Sequence, residues 1–203
     1  MRTVKKPCVY HVGYMDIKKK NKYSHEGTGL SVSTCPDAWC KISETTGGPT
    51  NTLRKKDGRF LVATSLSKKD REEIIVWGER NGYVKKTTVY QAWSCDEYGD
   101  DYFLPCLSYE EALEEACDDP ASVKMVEDII PTEKMNKVIG WEIDISSTFD
   151  LLVTLYAEAE TDYDGVWWNE ILDVVAYSAP RGVIFNSRLS EWTVSQEKKR
   201  NVA

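Results

Sequence analysis

The sequence predicts an α+β fold on three observations. Runs rich in β-branched and aromatic residues outnumber helical patterns, the two kinds do not alternate as a doubly wound sheet requires, and no internal repeat is present. Strand-like runs lie at 8–13, 28–33, 59–64, 83–94, 138–145, 151–158 and 183–185. A first helix is expected after Cys35, with Pro36 in its first turn, running through DAWCKI toward Gly47-Gly48. A second is expected over 67–80, opened by Ser67 and stopped near Gly82. The third starts at Ser108, whose spacing to Glu111 makes a capping box ahead of EEALEEA.

Three stretches fall outside these elements. Residues 47–58 (GGPTNTLRKKDG) combine turn residues with basic side chains and read as a mobile basic loop. Residues 96–133 hold 13 acidic groups against Lys124 alone, and read as an acidic peripheral helical insertion. They contain no D-x-D-x-D-G calcium loop, so no metal is expected. Residues 195–203 read as a flexible tail.

At 203 residues, with 41% hydrophobic content, seven Trp and eleven Tyr, the chain can furnish the core of one domain over 1–203. Residues 1–94 carry 18 Lys+Arg against 9 Asp+Glu, and residues 95–203 carry 8 against 24. Such asymmetry fits a solvated surface, a basic half that meets phosphates, or an acidic half that meets a basic partner. The six cysteines form no C-x-x-C pair and read as reduced thiols. No segment has the length and apolarity of a membrane span, and the N-terminus lacks an apolar signal core, so a soluble, cytoplasmic protein is expected. P-loop, H-E-x-x-H and G-x-S-x-G patterns are absent.

Two stretches carry candidate chemistry. In CVYHVGYMD (8–16), alternation puts Val9, His11 and Gly13 on one face, so His11 either sits in a core or lines a cleft. In HEGTGLSVSTCPDAW (25–39), the glycines permit close backbone approach, and Ser31 and Ser33 share one side of a strand. Small hydroxyls there bond an amide or a ribose without filling a ligand's space, while the plainer reading is an edge strand.

A Y-H-x-G strand, then G-L-S-x-S, then a late D-G-V followed by G-V-I-F (within 161–192) together resemble the ADP-ribosyltransferase superfamily. The resemblance implies a split, two-sheet core that holds NAD as substrate. It places His11 with Gly13 at the adenosine ribose and Ser31 or Ser33 at the nicotinamide amide. Tyr14, Trp39 or Trp167 are candidate stacking walls. The ribose–nicotinamide bond breaks through an oxocarbenium-like state, which a carboxylate stabilises. The chain departs from the family where a glutamate is expected, because Arg181 precedes Gly182-Val183-Ile184-Phe185. Arginine grips phosphate rather than a cation, and RNA 2′-phosphotransferases of the family use arginines with histidine. The carboxylate is then sought at Asp164, Glu158 or Glu170, with Asp164 also readable as a turn residue before Gly165. Two functions follow as expectations. One is an NAD-dependent ADP-ribosyltransferase acting on a protein or nucleic-acid target through His11, Asp164 and Arg181. The other is a non-catalytic acidic binding or inhibitor protein that occupies a nucleic-acid-binding or basic partner surface. No membrane partner is expected.

Overall fold

The computed structural model describes residues 1–15, 29–42, 49–95, 101–170 and 179–196. The chain is α+β. Its first half forms β1 (Thr3–Lys5), β2 (Cys8–Val12), β3 (Gly29–Ser33), α1 (Pro36–Ile42), β4 (Thr50–Arg54), β5 (Arg59–Val62), α2 (Lys68–Arg80) and β6 (Val84–Cys95). There follow β7 (Asp101–Cys106), α3 (Tyr109–Glu115), β8 (Val123–Pro131), α4 (Glu133–Ile139), α5 (Ile145–Glu160), β9 (Gly165–Trp168), β10 (Arg181–Phe185) and β11 (Thr193–Gln196). The chain divides into two compact units, Met1–Ile74 with Val153–Ala203, and Ile75–Leu152.

The first unit is built on an eight-stranded sheet in the order β1-β5-β9-β10-β3-β2-β4-β11. Among the described residues only β5 and β9 pair in parallel. Two residues, Lys6 and Pro7, join β1 to β2, yet those strands stand five positions apart. In a flat sheet that separation is about 24 Å, whereas three Cα–Cα steps reach at most about 11 Å. The sheet therefore curls. The same holds for β4 and β5, five positions apart and joined by residues 55–58. These two crossing links run side by side, with Lys6 N donating to the Gly58 carbonyl (2.8 Å) and Lys55 N to the Pro7 carbonyl (3.1 Å).

Register fixes what the curl encloses. Phe60, Gly165, Ile184 and Leu30 form one row across four strands, and Val62, Trp167, Gly182 and Val32 form another. From these rows Phe60, Ile184, Leu30, Trp167 and Val32, together with Val9, Leu53, Leu189 and Trp192, give one packed cluster on the concave face. Phe60 meets Trp167 edge-on (centroids 5.7 Å) and Trp192 at a tilt (5.9 Å). Leu61, Val166, Val183 and Phe185 point the opposite way and are buried as well, so the sheet centre is covered on both faces. Within this unit Tyr156 on α5 donates to Glu73 on α2 (3.0 Å), and burial with that carboxylate pushes its phenol up to about 12.

The second unit holds a three-stranded antiparallel sheet, β7-β6-β8. Ala92 and Cys106 pack beneath Ala112 and Ala116 of α3. Ser108 caps α3 by accepting from Glu111 N (3.1 Å), and Glu111 reaches back to Leu107 N (3.1 Å). Ser67 and Asp70 cap α2 in the same reciprocal way.

Several sequence expectations change. The segment 96–133 is not a helical insertion: beside α3 it supplies β7 and β8, two of the three strands of the second sheet. Of its described acidic residues most lie on α3 and the turn after it, and Glu127 and Asp128 lie on β8, so charge density did not prevent pairing. The run 138–145 is the end of α4 and a loop, and 151–158 lies inside α5. Leu151, Leu152, Val153, Leu155, Tyr156 and Ala157 are all buried, so α5 lacks the polar face that distinguishes a helix from a buried strand. The expected basic loop contributes β4, which pairs with both β2 and β11. The strand β3 is interior, between β10 and β2. Within the expected tail, Ser195 and Gln196 pair with β4; its remainder, and the helical reading beyond Ile42, lie outside the described residues.

Gly58 is where the two crossing links meet the core. A Cβ there would stand 2.6 Å from Trp192 Cη2 and 2.7 Å from the Lys6 carbonyl. Gly58→Ala is expected to lower stability by about 2 kcal/mol, the cost typical of overpacking, read as a shifted midpoint in urea unfolding.

Candidate functional site

The ladder between β2 and β3 is a single pair, Tyr10↔Ser33, although β2 pairs with β4 over five residues. Past Tyr10 the two strands part. Where the ladder stops, His11 completes it by a side-chain bond: Nδ1 lies 2.8 Å from the Ser31 carbonyl oxygen. A carbonyl accepts only, so Nδ1 carries the proton and Nε2 of the neutral ring is an acceptor. Burial lowers the His11 pKa, against the Ser31 carbonyl and the Tyr14 backbone, which favour the charged ring. Nε2 is buried and has no hydrogen-bond partner among the described residues. The Ser31 hydroxyl, at the same parting, is likewise buried and without a partner among them.

The surroundings of Nε2 are polar and small. Asn51 faces His11 across the β2–β4 pair and donates to the Gly13 carbonyl (2.8 Å), while Gly13 N donates to the Pro49 carbonyl (2.9 Å). Gly13 has φ +119°, and a Cβ there would lie 3.6 Å from Nε2. Glycine thus both permits the turn and keeps a side chain away from the acceptor. Asn51 was not legible in the sequence, because TNTLR sits within turn residues and reads as loop.

The other expected residues are distributed unequally. By alternation, Ser31 and Ser33 face the Tyr10 side of the sheet, while His11 shares the concave side with Val9. Ser33 is committed to structure, donating to the Pro180 carbonyl (2.6 Å) and accepting from Cys35 N (3.0 Å). Trp167 is fully buried in the concave core, with Lys6 Nζ 4.6 Å from its ring centroid, so it is a core residue rather than a wall of a cleft. Tyr14 is 87% exposed. Trp39 lies on α1, partly buried.

Arg181 stands in register with Ser33 on one side and Trp168 on the other. Its guanidinium binds Glu170 through Nε and Nη2 (both 3.0 Å) and lies 5.4 Å from the Trp168 ring centroid. Trp168 was missed in the sequence; as the second of two consecutive tryptophans it faces away from Trp167, and its buried indole N–H has no partner among the described residues. Glu158 accepts from Ser187 Oγ (2.7 Å). Asp164 is buried at the far end of β9 from Trp168. It accepts from Lys55 Nζ (2.6 Å) and Arg59 N (2.8 Å), and Lys55 also binds Glu191 (2.6 Å). Burial lowers the Lys55 pKa, but bonds to the two carboxylates outweigh it and hold the ammonium above its ordinary value. That network ties the 55–58 link to β9, and it uses Asp164 as a structural anion.

Among the described residues no group of three or more His, Cys, Asp or Glu is placed to hold a metal ion. No helix among them is long and apolar enough to cross a membrane. No protein-family model, curated protein or solved structure matches the chain.

Two measurements check this assignment of roles. Lys55→Met leaves Asp164 buried without its cation and is expected to cost about 3 kcal/mol in denaturant unfolding. For His11, the folded pKa lies below the ordinary 6.5, so as pH falls below that value the unfolded chain takes up a proton that the folded chain refuses. The contribution is intact above the ordinary value and is lost as pH falls toward the depressed one. Between about pH 7.5 and 5.5, the melting temperature of the parent is expected to fall further than that of His11→Gln. Parallel curves would show that His11 is not held neutral.

Proposed function

We propose that the chain is an NAD-consuming ADP-ribosyltransferase that binds the nucleotide where β2 and β3 part. The observation that carries this reading is the buried Nε2 acceptor of His11, without a partner among the described residues, with Nδ1 committed to the Ser31 carbonyl. An unsatisfied buried polar atom costs about 1–3 kcal/mol, and a ribose hydroxyl is a donor that relieves it. Gly13, with no side chain beside Nε2, leaves the approach to backbone and ligand.

The carboxylate that such a reaction needs is Glu170. Asp164 is buried against Lys55, and Glu158 accepts from Ser187, whereas Glu170, also ion-paired, is partly exposed and oriented by Arg181. Arg181 then explains the departure at the third motif: it positions a carboxylate supplied by the neighbouring strand end instead of being one. On the face opposite His11, the row Tyr10–Ser33–Arg181–Trp168 runs over three strand spacings, about 14 Å, so a dinucleotide held by both His11 and Glu170 must pass through the opening between β2 and β3. The transfer breaks the ribose C1–nicotinamide nitrogen bond, with the electron pair leaving on nicotinamide and a target nucleophile taking C1.

Calorimetric titration with NAD, alongside transfer of labelled ADP-ribose to protein or RNA, tests the reading. His11→Ala is expected to weaken NAD binding about tenfold, the loss of one buried hydrogen bond. Glu170→Gln is expected to keep binding and lose transfer. Absence of NAD binding by the parent protein overturns the proposal.

A further inference from the structure

The second unit carries a surface that the nucleotide reading does not use. By alternation, Gln91 and Trp93 of β6 share a face with Phe103 and Pro105 of β7 and Ile130 of β8, and Val89 on the same face is fully buried. At one end of this face Trp93 and Phe103, partners in register, pack edge to face with centroids 4.5 Å apart, yet they are 42% and 49% exposed. At the other end Pro105, Ile130 and Ile143 line a cleft of about 550 Å³, rimmed by the carboxylates of Glu111, Glu142 and Asp144. Asp144 is held ionised: burial raises its pKa, but hydrogen bonds from Ser146 and Ser147 outweigh that and bring it below the usual carboxylate range. Among the described residues no lysine or arginine lines the cleft, although Lys85 and Lys124 lie on the same face.

We infer that this face docks a basic segment of a partner polypeptide, its apolar anchors in the cleft and on the Trp93–Phe103 pair and its cations against the carboxylate rim. Three features identify the occupant. Exposed aromatic pairs beside an apolar cleft are what buried interface centres are made of. Residues 75–152 hold 17 Asp+Glu and 6 Lys+Arg, so their field attracts cationic polypeptide and repels nucleic acid. The carboxylates stand at the rim of apolar surface, which matches an alternation of apolar and basic side chains rather than a free cation.

The probe is a synthetic peptide of leucine and lysine, compared with its leucine–glutamate counterpart and a single-stranded RNA, each titrated calorimetrically into the full chain. The leucine–lysine peptide is expected to bind, more weakly as salt rises, and the other two are not. Trp93→Ala and Glu142→Lys are each expected to reduce affinity about tenfold, with melting temperatures near the parent's because both side chains are exposed. Should Glu142→Lys fail to fold, Glu142→Gln serves, with a smaller loss expected. Equal binding of both peptides, RNA binding in place of peptide binding, or affinity unmoved by both variants would overturn the inference. So would a dimer in solution that Trp93→Ala dissociates, since a second copy would then be the occupant.

Discussion

Two short links, Lys6–Pro7 and residues 55–58, force the large sheet to curl, and the rest of the first unit follows from that constraint. Each joins strands that stand five positions apart, so neither can close unless the sheet bends until its distant strands approach. The bend gives the sheet a concave face, and Phe60, Trp167 and Trp192 fill it with aromatic contacts. Gly58 supplies the backbone approach, and Lys55 fastens the link to Asp164 and Glu191. An anion that sequence reasoning placed in a catalytic role is thereby part of the closure.

A curled sheet must give somewhere, and here the ladder opens between β2 and β3. The single Tyr10↔Ser33 pair is followed by a side-chain bond from His11 to the Ser31 carbonyl, which substitutes for ladder hydrogen bonding. That bond fixes the histidine tautomer, burial lowers the ring's pKa, and the outcome is an acceptor buried without a donor among the described residues. The imidazole that completes the ladder is thus the one the proposal uses. The Arg181–Glu170 pair belongs to the opposite face of the neighbouring strands, where the guanidinium lies against Trp168. The proposed chemistry uses both sides of the parting.

Features whose cause is local were legible in the sequence. Ser108 with Glu111 and Ser67 with Asp70 make reciprocal caps that depend on a few neighbouring residues, and both helices start where those residues stand. The strands β2, β3, β6 and β10 carry β-branched and aromatic runs that tertiary contacts reinforce. Features whose cause is non-local were hidden. The helix α5 is buried around most of its circumference and so shows no period. The strand β4 is a strand because β2 and β11 flank it, in spite of its turn residues. At the site, the proximity of His11 to Ser31 could be read from strand character, but the commitment of Ser33 to Pro180 could not, since that partner lies 147 residues away. Arg181 was visible as a departure from the family pattern, yet its partner Glu170 became evident only with the register of β9 and β10.

The central claim is that His11 offers Nε2 as an acceptor to a nucleotide ribose, and the imidazole itself reports on it. The chain has only two histidines, so nitrogen-15 NMR of histidine-labelled protein resolves His11 against a His11→Gln control. The account predicts a neutral ring at pH 7, protonated at Nδ1, with an Nε2 resonance typical of an unprotonated nitrogen that shifts toward a hydrogen-bonded value as NAD is added. A ring protonated at Nε2, or an Nε2 resonance that saturating NAD leaves in place, would contradict it.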